Sequence, residues 1–294
     1  MTKITTDLTT HQEGLDMNGA QRMFADKAGR TAINEIDARQ DMASSYARKT
    51  DFDLAVLKQA VSEGNLEKYG LKVGDQKTIN GRTYVIADLN PMKGTTTPYR
   101  LTQNHVGLIV ITWNVKQAWN ASGLTTTGAH ATYPTTQPTT AGYANSDLHY
   151  YLENTLLPLV EADLSVSGSS SLIGHSKMLT TQVNTTAVNR LASDSEKGAS
   201  SGWAWEENCK ICALSEVQIY GGTVWSSSGF DTGEACRQLE VFKKYSHTEI
   251  FANQYIWLRD VVSSSIAALA HVNGVANYIT VSSASYVAAL VLFH

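Results

Sequence analysis

From Val261 to His294 the chain carries no Asp, Glu, Lys or Arg. A stretch so poor in charge cannot be a solvated surface throughout; part of it has to be buried. It does not cross a membrane as a helix, because its apolar pieces are short of the roughly 20 residues a span needs. Those pieces, Tyr278-Ile-Thr-Val and Tyr286-Val-Ala-Ala-Leu-Val-Leu-Phe, have strand length and are joined through Ser, Asn and Gly. The tail therefore reads as the closing strands of a β-rich domain. The rest of the chain agrees with this. Hydrophobic residues make up 43% of 294, enough for a sizeable core, while charged residues make up only 17%, under the roughly 25% usual for soluble domains. Ser, Thr, Asn and Gly fill the difference, which suits an extracellular or virion-type surface. A net charge of −4 argues against a nucleic-acid or anionic-membrane partner, since both need a basic face. The opening Met1-Thr-Lys-Ile-Thr-Thr-Asp has no apolar core of a secretory signal.

Residues 1–66 are polar and nearly free of aromatics. One position every 3.5 residues gives Ile33, Ile36, Gln40, Ala43, Ala47, Thr50, Leu54, Leu57 and Val61. That register fits a short homotrimeric stalk, or two amphipathic helices lying on their own domain, the second capped by Thr50-Asp51. Residues 67–294 form the second expected domain. Within it, Thr78-Ile79 and Thr83-Tyr-Val-Ile flank an Asn80-Gly81 turn and predict a hairpin. His105–Trp113 predicts a buried central strand, and 121–143 a long surface loop. A helix opens at Ser146-Asp147, with Asp147 as N-cap and Pro158 as its kink or end. Ile211–Tyr220 reads as a strand with a turn at Gly221-Gly222, and Gln254–Arg259 as another strand with Trp257 and Leu258 in the core.

Chemistry is sparse. Three cysteines, Cys209, Cys212 and Cys236, exclude a disulfide framework. Cys209-x-x-Cys212 is open to three readings: a redox pair, half of a metal site with Cys236 and His247, or small buried residues. None of the eight histidines has a second histidine at ligand spacing. Glu206 and Glu207 follow Trp203 and Trp205, but neighbours on a strand face opposite ways, so they are not a paired acid and base. No catalytic residue, metal or cofactor is expected.

The order Tyr143-Ala-Asn-Ser-Asp-Leu, Tyr151-Leu-Glu-Asn, Cys212-Ala-Leu-Ser-Glu, Trp257-Leu-Arg and a terminal apolar strand resembles a bacterial and phage domain of unassigned function. That domain is related to the C-type-lectin-like fold and to the display domain of retroelement-diversified phage tropism determinants. The resemblance covers about residues 68–294. Where relatives close on a Val-Arg-Pro-Ala type of strand, this chain has Val287-Ala-Ala-Leu. Tyr46-Ala-Arg-Lys-Thr-Asp is similar to segments that precede distal domains in phage fibres. The resemblance implies an α+β chain, short N-terminal helices followed by a C-type-lectin-like β-rich domain. It also implies a virion surface protein, assembled in the host cytoplasm, that is not an enzyme. Other virion proteins would contact residues 1–66, and a host or mucosal ligand the display domain. A capsid decoration protein, or a formylglycine-generating-type oxidase on the same fold, is the alternative.

Val261–His294 also lacks Gln, Met and Trp. With Lys and Glu, these are the residues that no codon ending in a pyrimidine encodes, as expected of a diversified surface. The polar and aromatic members of that surface would be Ser263, Ser264, Ser265, His271, Asn273, Asn277, Tyr278, Ser283 and Tyr286, with Leu290 and Leu292 pointing inward. A charge-poor terminal hairpin buried in the core would show the same composition. The heptad register predicts a homotrimer of the full-length chain by sedimentation at micromolar concentration; a monomer there contradicts it.

Overall fold

Asn80 and Gly81 both take positive φ, 49° and 79°, the two-residue turn whose twist matches antiparallel strands. They join β1 (Gln76–Ile79) to β2 (Arg82–Leu89) in the register Ile79↔Arg82, as the sequence predicts. The computed structural model describes residues 47–94, 100–120, 142–183, 200–225, 237–263 and 266–294. Ile33 to Ala43 of the heptad register, the loop at 121–141, Cys236, Ser264 and Ser265 lie outside them. The remaining strands are β3 (Val106–Ala118), β4 (Ser165–Val166), β5 (Ser169–Ser170), β6 (Leu172–Ile173), β7 (His175–Val183), β8 (Ser200–Cys209), β9 (Ile211–Ala213), β10 (Ile256–Ser263), β11 (Ile266–Ala270), β12 (Ala276–Thr280) and β13 (Ala284–Phe293).

The fold is mixed α+β, dominated by one nine-stranded sheet with a few short helices. Its order is β1-β2-β3-β13-β10-β11-β12, and β6 and β9 also pair with β13. The central strand expected at 105–113 is β3, which runs antiparallel to β13 from Val106↔Phe293 to Ala118↔Ala284. Leu290 and Leu292 are buried, as are Val287, Ala288, Ala289, Val291 and Phe293. Two indoles tie β3 to β10. Trp119 Nε1–H donates to the Leu258 carbonyl at 2.8 Å, and Trp257 Nε1–H to the Gln117 carbonyl at 2.9 Å.

Helix α1 (Leu54–Ser62) is capped by Asp53, whose carboxylate accepts from Ala55 and Val56 N–H. Its Leu57, Ala60 and Val61 are buried in the core of the compact unit Lys49–His294. That unit begins ahead of the expected start at residue 67. Leu57 and Val61 therefore serve its own interior, as for the second helix of the alternative reading, though with Asp53 in place of Thr50-Asp51 as its cap.

The helical region after β3 departs from the sequence reading in two ways. Ser146, not Asp147, is the N-cap of α2 (Asp147–Tyr151), its hydroxyl accepting from His149 N–H. Pro158 neither ends nor breaks the run. A π turn at Leu152–Leu156, closed by Leu157 N–H on the Leu152 carbonyl, leads into α3 (Leu157–Asp163). Proline then falls in the first turn of a new α segment, where no N–H is required. Likewise 211–220 is not one strand. After β9, Ser215 and Gln218 form a reciprocal capping box that starts α4 (Glu216–Tyr220), which Gly221 ends at φ 82°. The Ser-x-x-Gln signal outweighs the apolar run. Helices α5 (Glu240–Lys244) and α6 (His247–Ile250) precede β10. β7 and β8 form a separate two-stranded sheet. A Cβ on Gly142 would meet the Thr180 carbonyl of β7 at 2.3 Å, so only glycine fits this approach to the helix start.

Asp163 fastens the end of α3 to the first hairpin. It accepts from Asn80 Nδ2 at 2.8 Å, from Arg82 Nε at 2.6 Å and Nη2 at 2.9 Å, and from the Tyr84 hydroxyl at 2.5 Å. Burial opposes its charge, but the hydrogen bonds of Arg82, Tyr84 and Asn80 hold the carboxyl below its usual value of 3.8. Asp163→Ala should cost about 3–5 kcal/mol at neutral pH. A depressed carboxyl stabilises fully above its unfolded value and stops doing so as pH falls through its folded one. The gap between wild type and variant in urea unfolding should therefore shrink below pH 3.8. Trp257→Ala should cost about 3–5 kcal/mol; an unchanged melting temperature would contradict the packing described.

Candidate functional site

The ladder β10–β11–β12 ends at one side in a group of aromatic and amide side chains. Register sets it up: Ile256 pairs with Ala270 on one side and Tyr286 on the other, and Ala270 pairs with Ala276. His271 and Asn273 occupy the turn from β11 to β12. Tyr255, just before β10, meets His271 edge-on with ring centroids 4.7 Å apart. Tyr286 N–H donates to the Tyr255 carbonyl at 3.1 Å, and Lys116 Nζ stands 4.6 Å from the Tyr286 ring centroid. Tyr278 meets Trp225 edge-on at 4.6 Å. Val275 is 51% exposed and Tyr255 42%, so apolar surface flanks the polar groups; Ile279, 38% exposed, lies opposite Ala267 toward the far end of β12.

Of the nine residues singled out from the sequence, this end gathers His271, Asn273, Asn277, Tyr278 and Tyr286. Asn273 is exposed and the other four are half-buried. Two limits correct the single-face expectation. Asn277 and Tyr278 are neighbours on β12 and point to opposite sides of it. Ser263, the partner of Ile266, and Ser283, in the turn after Thr280, sit at the other end of the ladder, since Ile266 also pairs with Thr280.

The group is held from behind by residues the sequence reading passed over. Glu216, buried at the start of α4, accepts from Val224 and Trp225 N–H at 2.9–3.0 Å, while its own N–H donates to Asp260 at 2.8 Å. Trp225 Nε1–H then reaches the Ala276 carbonyl at 3.1 Å, and the Tyr220 hydroxyl the Val275 carbonyl at 3.3 Å. His247 lies against Tyr220, its Nε2 3.0 Å from the His271 carbonyl. Burial pushes the His247 imidazole down and the Tyr220 hydroxyl up, the latter helped by Glu216 and Asp260. Both are neutral at neutral pH. Tyr220, Trp225 and Tyr255 are remote in sequence from the tail; the capping box at Ser215 was the one local clue to where Tyr220 and Trp225 sit.

A second polar cluster lies inside the protein. His149 of α2 and Glu206 of β8 are both buried, with His149 Nε2 2.9 Å from Glu206 Oε2 and 3.5 Å from Glu153 Oε2. As expected, Glu207 faces out while Glu206 faces in. Burial opposes the His149 charge, but Glu206 and Glu153 outweigh it and lift the imidazole to about 9. Burial lifts Glu153 to about 7, whereas Glu206, against its own burial, is held low by His149. Cys209 and Cys212 are free and buried nearby: the Cys209 thiol hydrogen-bonds the Ile211 carbonyl at 3.3 Å, and Cys212 Sγ lies 3.8 Å from the Tyr143 hydroxyl. His247 is engaged elsewhere, so it does not join them as a ligand. Among the described residues, the only group with ligand atoms close enough for a metal is His149, Glu153 and Glu206. The sequence signal was His149-x-x-x-Glu153, one helical turn apart, which a search for paired histidines misses.

No family model, no curated protein and no solved structure matches the chain.

Glu216→Ala should cost at least about 1.5–3 kcal/mol, since it removes hydrogen bonds to a buried carboxylate. Hydrogen exchange should quicken at the Val224 and Trp225 amides while β13 stays protected. Unchanged exchange at those two amides would contradict the anchoring role of Glu216.

Proposed function

We propose that this chain is a phage virion surface protein whose C-terminal unit, of the C-type-lectin-like kind, presents the aromatic end of the β10–β12 ladder to a ligand on a host or mucosal surface. The observation that carries the reading is the set Tyr255, His271, Asn273, Tyr278 and Tyr286 with Val275: exposed or half-buried, rich in rigid rings, poor in charge and backed by buried hydrogen bonds. Rings with few torsions contribute contact area at little entropic cost, and Asn and His add adaptable hydrogen bonds. A large sheet with its last strand in the middle is in keeping with the fold. The chain assembles as a homotrimer through residues ahead of the unit, where other virion proteins also dock, so that weak single sites gain avidity. Its role is adhesion rather than catalysis. An oxidase using Cys209 and Cys212 would need thiols that substrate can reach, and both are buried.

The test uses labelled full-length protein with candidate host cells and with mucin-coated surfaces. Tyr278→Ala with Tyr286→Ala should lower binding at least about tenfold, the loss of two anchor residues worth at least 1.4 kcal/mol together, and leave cooperative unfolding intact. Binding undiminished in that folded variant overturns the assignment of this face. Binding to neither surface, with label confined to the capsid shell, favours the decoration reading.

A further inference from the structure

We propose that His149, Glu153 and Glu206 bind one first-row transition-metal dication, of the Zn2+ or Mn2+ class, which clamps the helix after β3 to strand β8. This does not depend on the adhesion reading. Metal bonds of about 2.0–2.2 Å to nitrogen and oxygen place neighbouring ligand atoms about 3.0–3.6 Å apart. His149 Nε2 stands 3.5 Å from Glu153 Oε2, within that spacing, and 2.9 Å from Glu206 Oε2, so a small outward shift of Glu206 would seat a metal. All three ligand atoms lie within 4.8 Å of one another.

The donor set selects the metal class. One imidazole with two carboxylates suits Zn2+, Mn2+ or Fe2+ better than Mg2+ or Ca2+, which take oxygen ligands throughout. The scaffold is also unusual at this point. Glu153 belongs to the π turn Leu152–Leu156, a distortion that recurs where helices carry function. The Tyr143 ring packs 4.9 Å from the imidazole and fixes its plane. Glu153, with its side chain 34% exposed beside two buried partners, provides the entry path such a site needs. The clamp would join elements from different parts of the fold: α2 and its π turn on one side, and the two-stranded β7–β8 sheet on the other.

The experiment strips full-length protein with a chelator, confirms its fold by circular dichroism, and titrates it with Zn2+ and separately with Mn2+. One equivalent of Zn2+ or Mn2+ per chain should bind and raise the melting temperature. Glu206→Gln and Glu153→Gln should each lower affinity at least about tenfold. Should Glu206→Gln fail to fold, the partly exposed Glu153→Gln keeps the test decisive. Cobalt substitution should give a visible spectrum without a thiolate charge-transfer band. Failure of folded wild type to bind either ion stoichiometrically, full affinity in Glu153→Gln, or a thiolate band abolished by Cys209→Ser would each overturn the proposal; the last would place the metal on the cysteines.

Discussion

Strand β13 has to find backbone partners on both of its edges while burying side chains on both of its faces. It meets the first demand by pairing with β3 along its whole length, from Ala284↔Ala118 to Phe293↔Val106, and with β10, β9 and β6 in turn on the other edge. It meets the second with Val, Ala, Leu and Phe alone from Val287 onward. A lysine or glutamate here would be buried without a designed partner, at a cost of several kcal/mol. Because β13 follows all the other strands in sequence yet lies in the middle of the sheet, the sheet can close only once those strands are available to it. β1–β2–β3 and β10–β11–β12 are brought together by it, with the Trp119 and Trp257 indoles bridging the same gap.

The parts of the fold legible in the sequence are those where one local signal acts alone. Asn80-Gly81 fixes a hairpin because few other dipeptides accept two positive φ angles. His105–Trp113 reads as a central strand because nine mostly apolar residues in a row suit burial on both faces. Misreadings arose where two signals compete. Ile211–Tyr220 is apolar enough for a strand, yet Ser215 and Gln218 cap each other and turn its second half into a helix. Pro158 ordinarily ends a helix, yet the π turn ahead of it shifts the hydrogen-bond register so that the run continues. β10 is buried on both faces, from Ile256 to Val262. Arg259 and Asp260 are tolerated there because Arg259 Nη1–H donates to the Met178 carbonyl and Asp260 accepts from Glu216 N–H.

The same competition governs the charge-poor tail. Burial accounts for the lack of Lys, Glu and Gln in β11 and β13, where Ala267 to Ala270 and Val287 to Phe293 are inaccessible. It does not account for the turn at His271–Val275 or for Asn277 to Thr280 on the edge strand, all of them half-buried or exposed. Burial therefore explains only part of the composition, and which part becomes legible only once the edge strand is known. The candidate site was legible to the same extent. The tail residues at this end could be named from their chemistry. Trp225 and Tyr255 could not, because their proximity to Tyr278 and His271 comes from sheet register and from Glu216 rather than from spacing along the chain.

The edge strand explains how such a surface can vary without weakening the fold. Among the described residues β12 pairs on one side only, with β11, so Asn277 and Ile279 contribute little to the packing that β13 organises. Its backbone is fixed independently of its side chains, by the β11 ladder and by Trp225 and Tyr220 reaching the Ala276 and Val275 carbonyls. The carbonyls recognised in that way belong to every residue type. Replacing half-buried Asn277 or exposed Ile279 changes what the edge offers to a partner while leaving those bonds in place, and at an exposed position such as Ile279 the stability change is typically within about 0.5 kcal/mol. Trp225 and Glu216 have no such freedom, since the indole N–H and the buried carboxylate are the bonds themselves. The line between positions that carry these bonds and positions that do not therefore runs along β12.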